Sequence, residues 1–524
     1  MQRRQLLQQL GRQAAAMALA SLFGSAVRGQ SPAVRWPANL GDPFTLGVAS
    51  GMPQPGSVVI WTRLAPSPHE PGGGLPGVPL AVRWELAEDE HFSVGVRRGE
   101  FVARPAQAHS VHVEVDGLAS ARTWYYRFIA GDAISPIGRT RTAPAEDEPV
   151  PRLRIALASC QHYEQGWYAA HREIAARDLD LVLFVGDYIY ESSNPRFRLR
   201  AHEGPVPRTL DAYRARHATY KLDADLRAAH AAHPWLLTWD DHEVENDYAG
   251  EANVRGLDAA AFLRQRAAAY QAYFEHLPLS PTMAPTGAAM PLHQQFRWGR
   301  LAELWMLDNR QYRDRQACST DGRAGGRVLA PCDEMADPAR SVFGAAQERW
   351  LGQGLASSRR AWKLIGQASQ LSPSGVATPF GQRLYSDGWD GYPRARERLL
   401  DAIAASTAAG GDALVLGGDV HRHVAANLRQ RPDDPRSPVV AGEFVTTSVT
   451  SRGLSEALTA AMRASNPDLL HARSDERGYA LLDITPAAAT CEFRATPFPA
   501  RREARLHSQA RFVVEAGQPG VVSG

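Results

Sequence analysis

The chain has 524 residues, of which 44% are hydrophobic and 22% charged, and its 58 basic against 56 acidic residues leave a formal net charge of +2. This length exceeds one ordinary domain and predicts at least two, while the composition is that of a soluble globular protein. The charge balance, and the lack of long basic runs interleaved with aromatics, argue against specific nucleic-acid binding.

Residues 1–29 carry the pattern of an export signal. Gln2-Arg3-Arg4-Gln5-Leu6-Leu7 sets a twin arginine ahead of leucines, Ala14 to Phe23 is apolar and Ala-rich, and small residues follow from Gly24 to Gly29. The apolar run is too short to span a bilayer, and no later segment reaches about 18 apolar residues. The expectation is a twin-arginine signal cleaved near Ala26 to Gly29. It predicts a protein without a stable membrane span, periplasmic or secreted from a bacterium, whose transient partner is the twin-arginine export machinery; no sequence feature sets the oligomeric state, and a monomer is the expectation.

Residues 30–43 contain Pro and Ser and read as a linker. From residue 44 to 145 short apolar segments recur, among them Val58 to Thr62, Leu80 to Leu86, Ser110 to Val115 and Trp124 to Ile129. Turn signals such as Pro71-Gly72-Gly73-Gly74 and Asp116-Gly117 separate them. This spacing predicts a β-sandwich of roughly 100 residues. The acidic segment from Pro144 to Pro151 marks a boundary.

Residues 152–515 alternate apolar strands with helices, which predicts a sheet covered on both faces. The apolar runs are Leu153 to Ala158, Leu179 to Val185, Trp235 to Trp239, Leu304 to Leu307, Trp362 to Gly366, Ala413 to Leu416 and Glu443 to Thr446. Helical sequence covers Gly166 to Arg177 and Leu210 to Ala232. The basic stretch Ala500 to Gln509 is helix-like and is a candidate lid.

Chemistry-bearing residues follow these strands. The first ends in Ser159-Cys160 and the second in Gly186-Asp187-Tyr188-Ile189-Tyr190-Glu191. The third runs into Asp240-Asp241-His242-Glu243-Val244-Glu245-Asn246-Asp247. Asp308-Asn309-Arg310 and Gly418-Asp419-Val420-His421 close two later ones. In open α/β sheets ligands bind beyond the carboxyl ends of the strands, so strands lying side by side bring these tips to one crevice. Hard oxygen donors suit Ca²⁺, Mg²⁺, Mn²⁺ or Fe³⁺, whereas thiolate and imidazole favour a transition metal; the mixture predicts more than one ion. Taken alone, a cysteine closing a buried strand reads as an inert core thiol. Cys318 and Cys332, inside what looks like an insertion from Ala317 to Pro338, are a candidate disulfide, and Cys491 reads as a buried small residue.

These residues resemble, in order, the blocks of the PhoD-type alkaline phosphatases, relatives of the purple acid phosphatases and the wider calcineurin-like phosphoesterases. The blocks are Phe44 to Gly51 with Val59 to Leu64, Ser159-Cys160, Gly186 to Glu191, Trp239 to Glu243, Leu307 to Arg313, Asp387 to Tyr392 and Gly418 to His421. The resemblance implies an α/β fold, a calcineurin-like sandwich of mixed β-sheets flanked by helices. An immunoglobulin- or fibronectin-III-like β-sandwich would precede it. It implies one ferric ion held by Cys160, Asp187, Tyr190 and His421, and turns Cys160 from a core thiol into a ligand. It also implies one or two calcium ions held by Asp187, Asp241, Asn246 and Asp419, with Asp247 and Tyr248 as competitors for the place of Asn246. Purple acid phosphatases carry Asn and His where this chain has Asp241 and Asp419, and the added carboxylates favour a hard ion. Mn, Mg or Zn are the expected substitutes.

The reaction expected is hydrolysis of a phosphate-ester substrate, monoester or diester, by a metal-bound hydroxide. His242 is expected as substrate contact or proton donor. Arg310 is expected as a bidentate phosphate donor, its alternative being a buried ion pair with Asp308. Tyr188 is a third expected substrate contact. The competing functions are a phosphodiesterase acting on phospholipids, a non-catalytic secreted binding protein, and a calcium-storing structural protein.

Overall fold

A computed structural model describes residues 35–524; the predicted export signal and the first residues of the linker lie outside them. The chain divides into two compact units. The first comprises residues 35–142, 202–235 and 268–285, and the second 143–201, 236–267 and 286–524. This division is not the contiguous one expected at residues 145–152, because two later segments belong with the N-terminal sequence.

The first unit contains β1 (Val48–Gly51), β2 (Val58–Arg63), β3 (Leu80–Ala87), β4 (Arg97–Ala103), β5 (Ser110–Val115), β6 (Thr123–Ala130), β7 (Ala133–Ile134) and β8 (Gly138–Arg141). One face is the antiparallel set β1-β2-β5, and the other is β4-β3-β6-β7 with β8 paired to β6. Alternate residues of β6, Trp124, Tyr126, Phe128 and Ala130, are buried, the period-2 pattern of a strand with one face in a core. They share that core with Val48, Ile60, Val82 and Val111, which makes the sandwich. The helical sequence from Leu210 to Ala232 forms two helices, Leu210–Lys221 and Ala224–Ala232, because Asp223 caps the second by accepting from the Asp225 and Leu226 amides.

The second unit contains β9 (Leu153–Ala158), β10 (Leu181–Val185), β11 (Pro234–Thr238), of which the last three residues fall in this unit, β12 (Gln294–Trp298), β13 (Ala302–Met306), β14 (Val328–Leu329), β15 (Trp362–Gly366), β16 (Val376–Thr378), β17 (Gly381–Tyr385), β18 (Asp412–Gly417), β19 (His423–Arg429), β20 (Val439–Val445), β21 (Leu469–Arg473), β22 (Glu476–Ile484), β23 (Ala488–Pro497), β24 (His507–Glu515) and β25 (Gln518–Ser523). One sheet runs β25-β24-β23-β22-β9-β10-β11 and the other β12-β13-β15-β18-β20-β19-β21. Both are mixed: β9 and β10 are parallel while β22 meets β9 antiparallel, and β13, β15, β18 and β20 are parallel while β12 and β19 are not. The two sheets lie face to face. A Cβ on Gly442 of β20 would come within 2.9 Å of the Val514 and Val521 side chains of β24 and β25. Helices Gly344–Ser357 and Pro393–Ala408 bury Leu351, Leu355, Leu399, Leu400 and Ile403 against Trp305, Ile365 and Val415 of the second sheet. The architecture is the mixed-sheet α/β sandwich with flanking helices that the family resemblance implies; the strands read from their apolar pattern as one sheet covered on both faces are divided between two stacked sheets.

A small sheet, β14-β17-β16, sits beside the disulfide Cys318–Cys332. Cys491 is buried in β23. The stretch Ala500 to Gln509 forms no helix; it is a turn leading into β24. Arg172 takes the carbonyls of Arg502 and Ala504 as acceptors, which leaves them unavailable to a helical ladder. Among the described residues, no helix is long and apolar enough to cross a membrane.

Candidate metal centre

The chemistry-bearing residues do gather where the strands stop, all within the second unit. Five of them, Cys160, Asp187, Asp247, Asp419 and His421, hold left-handed backbone with φ of 58°, 59°, 54°, 64° and 52°. Such conformations cost about 1–3 kcal/mol each and persist where the surroundings impose them. Two glycines permit the close approach. A Cβ on Gly186, whose φ is 103°, would lie 2.6 Å from the Asp240 Cβ, and one on Gly418 would lie 2.6 Å from the Ser159 Oγ.

Three donor groups overlap. Cys160, Asp187 and His421 each bring a ligand atom to within 4.8 Å of the others; so do Asp187, Asp241 and His242, and so do Asp241, Asp247 and Asp387. Tyr190 joins the first group, its hydroxyl donating to Asp187 Oδ2 at 2.7 Å and lying 3.1 Å from His421 Nε2. Ser451 Oγ in turn donates to the Tyr190 oxygen at 2.8 Å. His421 Nδ1 donates to the Arg452 carbonyl at 2.7 Å, so the lone pair of Nε2 faces the site. Desolvation, helped by Arg477, holds this imidazole down at about 3, in its ligand form. Asp419 accepts from Ser369 Oγ at 2.7 Å.

The carboxylates are crowded. Burial and the neighbouring Asp241 and Asp240 push Asp187 well above its ordinary range, and its Oδ1 is buried with no hydrogen-bond partner. Burial and like charges also raise Asp240 to about 8, Asp247 to about 7 and Asp419 to about 6, against the opposing charge of Arg310. Burial and the Asp187 charge raise the Cys160 thiol and the Tyr190 phenol. Each shift disfavours the anionic form, and cations among these donors would reverse that preference. The donor set therefore fits metal ions, with thiol, phenol, imidazole and carboxylate at one end and carboxylates alone at the other.

His242 stands at the junction. Its Nδ1 donates to Glu191 Oε2 at 2.6 Å, and its ring lies 4.1 Å from that of Tyr190. Burial alone would lower its pKa, but the charges of Glu191, Asp187 and Asp241 outweigh it and hold the imidazole well above the usual range. Glu243 ties two loops together by accepting from the amides of Asp187, Tyr188 and Asp240.

Several placements differ from the sequence reading. Asn246 is exposed and its amide donates to Glu191, so the carboxylate beside Asp241 is that of Asp247, which is buried and accepts from the Gly326 amide and Tyr385 hydroxyl at 2.9 Å each. Tyr188 is fully buried against Phe184, 5.3 Å between ring centres. The Arg310 guanidinium is neither a free phosphate donor nor an ion-pair partner of Asp308. Its buried guanidinium binds Asp240 and, in a two-point pair at 3.0 and 2.9 Å, Asp387. Asp308 Oδ1 accepts from the Trp239 indole at 2.8 Å and from the Arg310 main-chain amide at 3.0 Å. His423, without a role in the sequence reading, accepts from the Thr447 amide and stacks on Phe493. Glu191, Glu243, Asp387 and Ser451 were given no role from sequence; the first three lie in the recognised blocks or beside His242, which was the available signal.

Residues 155–493 match the family model described as PhoD-like phosphatase, and residues 30–144 match PhoD-like phosphatase, N-terminal domain. The chain is similar to alkaline phosphatase D of Bacillus subtilis strain 168, with 43% identity over 487 residues, 91% of this chain and 82% of that protein. It is also similar to a solved structure described as Structure of PhoD, with a TM-score of 0.86, 42% identity and 92% of each chain covered.

Proposed function

This chain belongs to the PhoD-like phosphatase family and is a phosphoric-ester hydrolase, and on that premise we propose an exported alkaline phosphatase that also hydrolyses phosphodiesters. The observation that carries the reading is the continuity of the donor set, in which Asp187 and Asp241 each belong to two of the three groups. Cys160, Asp187, Tyr190 and His421 would hold a ferric ion. Asp187, Asp241 and Asp419, with Asp247 in the position first read for Asn246, would hold one or two calcium ions. When bound, the cations neutralise the carboxylates, bind phosphate oxygens and acidify water.

The remaining work falls to the chain. Glu191 accepts from His242 Nδ1 and its charge favours the imidazolium, the form in which Nε2 carries a proton for the departing oxygen. Glu243 holds the loops that carry Asp187 and Asp240. Arg310 keeps Asp240 and Asp387 in place from behind the donors. The twin-arginine pattern at residues 1–29 and a disulfide, which suits an oxidising compartment, support a periplasmic or secreted location reached through the twin-arginine export machinery. The test is turnover of p-nitrophenyl phosphate and bis(p-nitrophenyl) phosphate, with Asp187→Ala alongside. Both esters should be hydrolysed by the native chain and neither by the variant; equal turnover by the two proteins would contradict the reading.

A further inference from the structure

We propose that Arg452 is a specificity-determining residue that binds a second anionic group on the substrate, next to the phosphate being hydrolysed. The inference rests on the phosphatase reading above and adds a recognition element to it.

Arg452 is tied to the metal centre through its main chain. Its carbonyl accepts from His421 Nδ1 at 2.7 Å, and its amide donates to Gln165 Oε1 at 2.8 Å. The residue therefore begins at the wall of the centre, and its side chain is exposed. The guanidinium carbon lies 4.3 Å from the ring centre of Phe197 and 4.1 Å from that of Phe498. Phe197 belongs to the loop that follows Glu191, the partner of His242, so one loop links the proton donor to the arginine.

What separates Arg452 from its neighbours is the state of its donors. Arg310 and Arg477 are buried and spend their donors on the protein, Arg310 on Asp240 and Asp387, Arg477 on Ser448 and on the carbonyls of His421 and Ser451. Among the described residues, the Arg452 guanidinium forms no ion pair and no hydrogen bond. Close to it, Arg502 packs over Trp167 at 4.1 Å and Arg196 over Phe197 at 5.4 Å. Glu164 is buried and accepts from Ser193 and Asn194, while Glu503 is the exposed acid of the segment that carries Arg502. The ledge is thus basic and aromatic. A guanidinium steadied by rings loses little freedom on binding and still presents its planar N–H edge, which matches a phosphate oxygen pair. A monoester with an uncharged leaving group gives that edge nothing to hold, whereas a bisphosphate does.

The experiment compares kcat/KM for fructose 6-phosphate and fructose 1,6-bisphosphate, initial rates of phosphate release, in the native chain, Arg452→Gln and Arg452→Lys. The native chain should favour the bisphosphate about tenfold or more, as a charge-assisted contact warrants. Arg452→Gln should bring the ratio to about one through KM, and Arg452→Lys should give an intermediate ratio, because it keeps the charge and loses the fork. A native ratio near one, or an unchanged ratio in Arg452→Gln, would overturn the proposal. Absence of turnover of both sugars and of p-nitrophenyl phosphate would overturn the phosphatase reading, and the proposal with it.

Discussion

In the sandwich unit His112 and His276 are buried beside carbonyls and rings: His112 Nδ1 meets the Leu279 carbonyl at 3.1 Å and its ring stacks on Phe274 at 4.3 Å, while His276 meets the Ala272 carbonyl at 2.6 Å. Burial pulls His112 down to about 4 and His276 well below its ordinary value, so both rest neutral. In the metal centre Asp187, Asp240 and Asp247 are buried too, and burial with mutual repulsion pushes them upward. The same desolvation acts in both places with opposite structural meaning. An imidazole that gives up its proton is neutral and still makes a hydrogen bond. A cluster of carboxylates beside a thiol and a phenol is relieved either by taking up protons or by taking up cations, and the choice between the two is what separates a binding site from a structural core here.

The contrast can be broken first at Asp187, which belongs to two donor groups. Asp187→Ala should lower ester turnover by at least about 10⁴-fold and remove bound metal, read by steady-state assay and metal content; retention of both would sever carboxylate crowding from cation binding. Next is Arg310, a buried cation that the protein itself supplies beside Asp240 and Asp387. Arg310→Met leaves Asp240 buried without its ion-pair partner and Asp387 with only Arg313 and Gln316, and should cost about 3–5 kcal/mol in urea unfolding; a loss below about 1 kcal/mol would show that the pair is not structural.

The sandwich side is tested by acid. The unfolded chain protonates His112 near its ordinary 6.5 and the folded chain only near 4, so the unfolded state binds the proton first. His112 therefore adds nothing unfavourable above pH 6.5, and stability falls as pH drops from 6.5 toward 4, by about 3 kcal/mol in all. Unfolding curves for the native chain and His112→Phe should diverge across that window and run parallel above it. Smaller again is His242→Asn, expected to lower kcat about 10²-fold with metal content unchanged; loss of metal instead would make His242 a ligand rather than a proton donor.

Asp187, Asp241, Asp419 and His421 were legible because each stands a few residues past an apolar run, and strand direction carries them to one edge; Cys160 shares that placement, but its reading as a donor rather than a core thiol came from the family resemblance. Asp387 follows a short, polar hairpin strand, and no periodicity announces it. Asn246 and Asp247 differ by one position in a loop, where only the path of the backbone decides which side chain turns inward. Arg310 has Asp308 two residues away, yet only its main-chain amide bonds that carboxylate, beside the Trp239 indole, and the guanidinium reaches Asp240. Sequence order likewise hid that residues 202–235 and 268–285 belong with the sandwich, since that depends on packing between distant segments.

The central claim, a phosphoric-ester hydrolase that works through cations held at these strand ends, is met most directly by elemental analysis of the purified chain together with its turnover of mono- and diesters. The account predicts one iron and one or two calcium ions per chain, with activity lost on chelation and recovered on their return. Full turnover by a metal-free chain, or a site filled by zinc alone, would contradict it.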